Sequence, residues 1–328
     1  MEGAECCGDK EDCHHPKPTL CVAQLQFEEF KQGGWAFHHS SYPMFSAKQL
    51  DQISDTVGTM GMPEVFYGFN HLYISNAAKD VLLEFSPSHA LSLAAFAKQD
   101  LMLRGASAAG DEDKELNMVE MKPRLIEVKE ASLWKKKDMS KVRDFKHLEV
   151  ISDWTYSTPY KGSLFRLSKH ARRLKLETAL DLACAPGEAP LRVEVAPEAE
   201  IPLARLGRDN PILHFGELYL YEDDLGDQGY CCCSLRFRVM ADCFYVLHRY
   251  YLRVDQVLVR VFDTRVFHAF GEDALVREFQ HRESTYAELR EEGFALGSEW
   301  LLSKTQADEV FPRLKPQLRV VDRLVIGQ

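Results

Sequence analysis

Arginines and carboxylates lie close together in two neighbouring strand-like runs of the chain. Arg253 and Asp255 end one run, and Arg260, Asp263 and Arg265 lie in the next. Guanidinium and carboxylate groups on strands and turns can form structural ion pairs, or they can present fixed hydrogen bonds to a partner's carboxylate or backbone. For each residue alone a structural ion pair is the expected role, and contact with a partner is the alternative.

Residue types that ligate metals cluster at the start of the chain, in "CCGDKEDCHHP". The sequence has no Cys-x-x-Cys pair and no second cluster that would complete a structural metal site. Three further cysteines, residues 231–233, are consecutive, so in a strand they point alternately to opposite faces and cannot converge on one ion. We therefore expect no metal and no cofactor, and we expect these three cysteines to pack in the core.

Motifs for catalysis are missing from the sequence. It contains no phosphate-binding Gly-x-x-x-x-Gly-Lys, no Gly-x-Gly-x-x-Gly and no Gly-x-Ser-x-Gly. The acidic run "YEDDLGDQG" lacks the spacing of a calcium loop and predicts a hairpin turn instead. These absences favour a binding protein over an enzyme, with no catalytic residues.

Length and charge narrow the class of protein further. The 328 residues, of which 45% are hydrophobic, can form one large domain or two ordinary ones. The formal net charge of -10 argues against nucleic acid as a partner. The basic stretch 135–146 is expected to be a solvated helix face, with nucleic-acid binding as the alternative. Without a signal-peptide core or a run of about eighteen apolar residues, we expect a cytoplasmic protein, also possible in the nucleus, with no membrane partner.

An antiparallel sheet is predicted at the centre of the protein. Strand-like runs over 212–222, 230–240, 243–254 and 256–268 are separated by residues typical of turns. Within 234–239 polar and apolar residues alternate, which is the period of a strand with one buried face. The predicted fold class is α+β: mainly an antiparallel β-sheet meander with short peripheral helices, in a single domain.

Shorter elements are predicted on both sides of this meander. They are a strand in 33–39, a helix in 47–61, a hairpin from 71–75 and 80–86, helices in 88–99, 284–293 and 303–311, and a closing strand in 318–326. Residues 1–30 are predicted to be a poorly ordered N-terminal extension. Residues 31–328 would then form the domain, with insertions at about 105–150 and 168–210.

The stretch "DWTYSTPYKGSL", residues 153–164, is unusually rich in aromatic and hydroxyl side chains. Trp154 is expected to anchor it by burial in the core. Pro159 and Gly162 are expected to fix its backbone conformation.

This stretch, together with "LYLYEDDLGDQG", "SLRFRVM" and "VLVRVFDTRVFH", resembles in order and spacing the TIPRL family of TOR-signalling regulators. The resemblance extends to "WAFHHSSYPMF", "MPEVFYGFNHLYI" and "LVREFQHRES" and covers most of residues 33–326. The chain departs from the family at the N-terminal extension and at the two insertions. It also has Asp255 and Gln256 where the family usually has an Asp-Gly turn.

The resemblance implies a non-catalytic protein that binds the catalytic subunits of type 2A Ser/Thr protein phosphatases, including the related type 4 and type 6 enzymes, and modulates TOR signalling. Family members hold the phosphatase partly through its C-terminal tail, which ends in an aromatic residue and a leucine carboxylate. A receptor for such a tail needs aromatic walls and one or two cations.

Matched by position, the resemblance suggests Tyr156, Lys161, Arg265 and Phe279 as tail-pocket residues, with Asp263 contacting or orienting the partner near them. Tyr156 and Lys161 would then point to the partner-facing side. The alternative is a binder or an enzyme for a small anionic ligand that uses the same aromatic and basic pocket.

Overall fold

Two antiparallel sheets, with short helices beside them, make up the part of the chain that the computed structural model describes. This confirms the predicted α+β class with mainly antiparallel sheet. No helix among these residues is both long enough and apolar enough to cross a membrane. The described residues are 27–57, 61–94, 154–167, 193–207, 211–294 and 310–326.

The smaller sheet has five strands in the order β1-β2-β4-β5-β6. These strands are β1 (Glu28–Gln32), β2 (Trp35–Ser40), β4 (His71–Asn76), β5 (Val81–Phe85) and β6 (Ser163–Arg166). The predicted hairpin is confirmed as β4 and β5. Residues 28–30, which the sequence assigned to the extension, are the first residues of β1 and pair with β2.

The larger sheet has eight strands in the order β3-β8-β9-β10-β11-β12-β13-β7. Its six long strands follow one another along the chain as an antiparallel meander. The strands are β3 (Val65–Phe66), β7 (Val193–Val195), β8 (Ile212–Asp223), β9 (Gly229–Met240), β10 (Cys243–Val254), β11 (Leu258–Ala269), β12 (Ala274–Thr285) and β13 (Pro316–Val325).

The sequence did not reveal β12, although it predicted the strands on either side. Arg277 and Glu283 point to one face of the sheet, while Glu278 and Arg282 point to the other, as the register with β11 shows. With charges on both faces, the run lacks the alternation of polar and apolar residues that marks a strand. Strand β7 lies within the stretch 168–210 that was predicted to be an insertion.

The α-helices of the described residues begin at residues that suit a helix N-terminus. Helix α1 (Ala47–Val57) follows Ser46, whose backbone nitrogen donates to the side chain of Gln49 at 2.8 Å. Helix α2 (Pro87–Leu93) has Pro87 at its first position, where a missing N–H costs nothing. Helix α3 (Tyr286–Glu291) begins with a capping box, in which Thr285 and Glu288 exchange hydrogen bonds. Most of the predicted helix over 303–311 lies outside the described residues.

The main core lies between the two sheets. We call the side of the larger sheet that faces the smaller one its inner face, and the opposite side its outer face. Phe37, Leu83 and Phe85 from the smaller sheet and Phe237 and Phe244 from the larger one are buried in this core. The cysteines of residues 231–233 are all buried, as predicted, and Cys231 and Cys233 belong to this core.

A charged pair is buried inside this core. Arg260 is fully buried, and its Nε atom lies 2.7 Å from an Oε atom of Glu283 on the neighbouring strand. Its Nη1 atom donates to the hydroxyl of Ser157 at 2.8 Å. Burial alone would raise the pKa of Glu283, but His281 and Arg260 outweigh it and lower this pKa. Arg260 therefore forms a structural ion pair, as expected from the sequence. Arg253 is likewise paired with Asp255, at 2.7 Å.

Replacing Arg260 with methionine is expected to lower the free energy of unfolding by about 3 to 5 kcal/mol, because it leaves the Glu283 carboxylate buried without its cation. Urea unfolding followed by circular dichroism measures this change. The exposed Arg238 on the outer face is the matched control, and Arg238→Met is expected to change stability by less than about 0.5 kcal/mol.

A double variant separates the charge effect from a simple loss of packing. Arg260→Met with Glu283→Leu removes both charges, so it is expected to recover a substantial part of the lost stability. Equal stability of the single and double variants would contradict the assignment.

Candidate functional site

Residues 154–162, the crossing segment, run over the inner face of the larger sheet from β8 to β12. The Tyr221 hydroxyl on β8 donates to the carbonyl of Tyr156 at 2.8 Å. On β11, the hydroxyl of Thr264 donates to the carbonyl of Tyr160 at 3.0 Å. Tyr250 on β10 donates to the carbonyl of Thr155. Side chains of β8, β10 and β11 thus satisfy three backbone carbonyls of a segment that lies outside the strands.

Most hydroxyl side chains of the crossing segment are buried inside the protein. Thr155, Ser157 and Thr158 are buried, and the hydroxyl of Tyr160 donates to the carbonyl of Glu84 in the smaller sheet at 3.1 Å. Gly162 has a φ of 77°, and a Cβ atom there would lie 2.8 Å from the Phe85 ring. Only glycine fits this turn without strain. The segment is therefore a layer between the two sheets.

Three of the predicted pocket residues lie on the inner side of the larger sheet. The hydroxyl of Tyr156 donates to the carbonyl of Met62 at 3.3 Å, and burial raises its pKa. The ammonium of Lys161 lies 5.1 Å from the centre of the Phe279 ring. Phe279 is only 1% exposed and packs in the core. Tyr156 contacts β8 and Lys161 contacts β12, so they are at opposite ends of the crossing segment.

The other two predicted residues lie on the outer face. Thr264 and Phe279 are cross-strand partners, so their side chains share the inner face, and the neighbours Asp263 and Arg265 must point the other way. The structure therefore does not bring the five residues together in one pocket. The side chains of Phe279 and Arg265 lie on opposite faces of the larger sheet.

A small depression marks the outer face beside these two residues. We call it the outer groove, and it is bordered by Arg249, whose guanidinium forms two hydrogen bonds of 2.6 and 2.8 Å with the carboxylate of Asp263. These two hydrogen bonds hold the Arg249 guanidinium in place. Asp263 is fully buried, so its carboxylate is not accessible to a partner. The lining residues are Glu217, Tyr230, Cys232, Ser234, Arg236, Leu247, Arg249 and Tyr251.

Beside the outer groove, three arginines surround one aromatic ring. The guanidinium carbons of Arg249, Arg265 and Arg282 lie 5.1, 5.6 and 5.1 Å from the centre of the Phe311 ring. Phe311 is buried and belongs to a second apolar cluster in which α3 packs on the outer face. Stacking on an aromatic face fixes guanidinium groups without using up all their hydrogen-bond donors.

Arg265 is the member of this arginine cluster that is best placed to bind an added anion. Its side chain is 19% exposed, and its contacts with Glu278 and Asp263, at 3.3 and 3.4 Å, are longer than good charge-assisted hydrogen bonds. Glu278 is also shared with Arg319, at 2.7 Å. Nearby, burial raises the pKa of Tyr245 to about 12, so its hydroxyl keeps its proton at neutral pH.

Sequence reasoning missed Arg249 and Arg236 as groove residues and Phe311 as the aromatic ring beside Arg249. The alternation of side chains along β9 and β10 is visible in the sequence, but the register between the strands is not. With that register, Arg236 and Arg249 fall on the same face as Arg265. Nothing in the sequence brings Phe311 to this face, because it follows β11 by more than forty residues.

Ser163, His89 and Glu84 lie together beside the smaller sheet and include the residue types of a hydrolytic triad. The hydroxyl of Ser163 and a carboxylate oxygen of Glu84 both approach the same ring nitrogen, Nδ1 of His89, each at 3.4 Å. A triad needs the nucleophile and the acid on different ring nitrogens, so that the histidine can pass a proton between them. This arrangement therefore does not have the geometry of a nucleophile activated by a base.

The sequence model described as the TIP41-like family matches residues 65–290, which is more than half of the chain. The chain belongs to the TIP41-like family. The predicted resemblance to the TIPRL family is thereby confirmed, since the two names denote one family.

Curated relatives of this TIP41-like chain come from distant eukaryotes. A TIP41-like protein of Arabidopsis thaliana is 31% identical over 79% of each chain. A TIP41-like protein of Dictyostelium discoideum is 26% identical over 77% of this chain and 78% of its own. A protein of Saccharomyces cerevisiae named type 2A phosphatase activator TIP41 is 27% identical over 84% of this chain and 68% of its own.

Two predicted features cannot be placed in the structure. The Cys- and His-rich start of the chain and the basic stretch 135–146 lie outside the described residues. The division into an extension and a domain with two insertions stays a prediction.

Lys161 is expected to give the stability of the protein a distinct dependence on pH. Burial, with a contribution from Arg277, lowers the pKa of Lys161 to about 8, while Asp322 opposes the change. An ordinary lysine has a pKa of about 10.4, so between these two values the unfolded chain binds more protons and the free energy of unfolding rises with pH. Below about pH 8 the cost of the buried charge is present in full.

Lys161→Met removes this charge, so its free energy of unfolding relative to wild type is expected to fall as the pH rises from 7 to 10. Urea unfolding at several pH values measures the difference. A difference that does not vary with pH would exclude a lowered pKa at Lys161, and an NMR titration of the lysine side chains gives the pKa directly.

Proposed function

We propose that this TIP41-like protein is a non-catalytic regulator that binds the catalytic subunits of type 2A Ser/Thr protein phosphatases, including the type 4 and type 6 enzymes, and modulates TOR signalling in the cytoplasm and nucleus. The name of the Saccharomyces cerevisiae relative supports a role with type 2A phosphatases. So does that of a Schizosaccharomyces pombe relative, a type 2A phosphatase activator that is 22% identical.

The arginine cluster beside the outer groove is the observation that carries the proposal. In a chain with a formal net charge of -10, several guanidinium groups are collected on one face of one sheet. Arg265 has long, weak ion pairs and is partly exposed, so it can exchange them for a partner's carboxylate at small cost. Leu247, which lines the outer groove, supplies apolar surface near it.

An extended peptide that ends in a carboxylate fits this chemistry, and the C-terminal tail of the phosphatase is such a peptide. Its carboxylate would bind Arg265, with Asp263 orienting the neighbouring guanidinium groups. Side-chain donors along the outer groove, such as Ser234 and Arg236, would hold the preceding residues. Tyr156, Lys161 and Phe279 would then act from the inner side, by supporting the sheet that carries Arg265 and not by touching the tail.

Arg265→Glu is expected to abolish capture of a type 2A phosphatase catalytic subunit, because it puts a carboxylate where the tail carboxylate would bind. Affinity purification with the variant as bait, quantified against wild type, measures the loss. Lys31→Glu is the control, since it makes the same change of charge at an exposed position of the smaller sheet and should leave capture intact. Undiminished capture by Arg265→Glu would show that the outer groove is not the site.

A second measurement separates tail recognition from the alternative of a small anionic ligand. A synthetic tail peptide with a free C-terminal carboxylate is expected to bind at least tenfold more tightly than the same peptide with a C-terminal amide, as measured by calorimetry. If small carboxylates alone bind as tightly as the peptide, the alternative is favoured.

A further inference from the structure

Two histidines from different sheets face each other at the rim of the core. The Nε2 atom of His39 on β2 lies 3.2 Å from the Nε2 atom of His214 on β8. The same His39 nitrogen lies 3.3 Å from an Oε atom of Glu28, its cross-strand partner on β1. Three groups able to ligate a metal thus come from three strands, and none of them belongs to the outer groove.

These distances match those between ligands of one tetrahedral ion. With Zn–N and Zn–O bonds of about 2.0 to 2.1 Å, two ligand atoms at the tetrahedral angle are about 3.3 Å apart. The observed separations of 3.2 and 3.3 Å agree with this value. A hydrogen bond between the two rings, in which one Nε2 donates and the other accepts, is the alternative explanation of the 3.2 Å separation.

Aromatic neighbours hold both imidazole rings in place. The ring of Phe30 stacks on His214 with the ring centres 4.8 Å apart. Phe237 packs against both histidines, at 5.1 Å from His39 and 5.6 Å from His214. Burial lowers the pKa of both histidines, so the rings are neutral at pH 7, which is the form that binds metals.

We propose that His39 and His214 form a binding site for a divalent transition ion of the zinc type, with Glu28 as third ligand and water as the fourth. No group of three or more ligands is already assembled for a metal among the described residues. The site is therefore completed on binding, by rotation of the Glu28 side chain, which is 77% exposed and free to move.

Such an ion would join the smaller sheet to the edge of the larger one. It would also leave a proton on Nδ1 of His39, a buried atom without a hydrogen-bond partner among the described residues. This cost predicts binding that is weaker than that of a structural zinc site. Because binding favours the folded protein, the ion is expected to raise the unfolding temperature.

Zinc titration of the full chain by calorimetry tests the proposal, with Cys6, Cys7, Cys13, His14 and His15 left unchanged in every variant so that any binding there is a constant background. His214→Gln and Glu28→Gln are expected to weaken the additional site at least tenfold. His38→Gln is the matched control, because His38 lies on the opposite face of β2, near Glu29, and should bind zinc as wild type does.

Cobalt and NMR spectra identify the ligands. Cobalt bound at this site is expected to show tetrahedral absorption without the thiolate charge-transfer band that cysteine ligands produce. Zinc is expected to shift the Nε2 resonances of His39 and His214 in the same titration step. If wild type, His214→Gln and Glu28→Gln bind zinc equally, or if those resonances do not move, the proposal is wrong.

Discussion

The buried guanidinium of Arg260 links the layers of the fold. It lies between two layers, where it pairs with Glu283 on the next strand and donates to Ser157 in the crossing segment. A charge buried this deeply is tolerated only when each of its donors finds a partner, so its position fixes the crossing segment relative to β11 and β12. The hydroxyls of Tyr221, Tyr250 and Thr264 complete the attachment from the neighbouring strands.

This attachment explains why the two faces of the larger sheet have different roles. The crossing segment and the smaller sheet cover the inner face, so its polar groups are used for structure. On the outer face, α3 and Phe311 cover one end and leave the arginine cluster partly exposed. The phosphatase binding proposed above would use this outer face. The histidine pair lies at a third place, where the two sheets meet.

Much of the fold was predictable because it is encoded locally. The meander strands have turn residues between them, and β9 shows the alternation of a strand with a buried face. Strand β12 escaped prediction because it carries charges on both faces, which only its pairing with β11 and β13 can accommodate. Strand β1 escaped because its residues are mostly polar and exposed. Its strand conformation depends on pairing with β2.

The sequence alone determined the family, the sheet-rich class and the residue types at the candidate site. Only the tertiary structure decided which of those residues share a surface. Asp263 and Arg265 are neighbours on the outer face, while Phe279 is buried on the inner face although it pairs with the residue between them. The physical reason is that a strand turns successive side chains to opposite faces, and which face is open depends on segments packed from elsewhere in the chain.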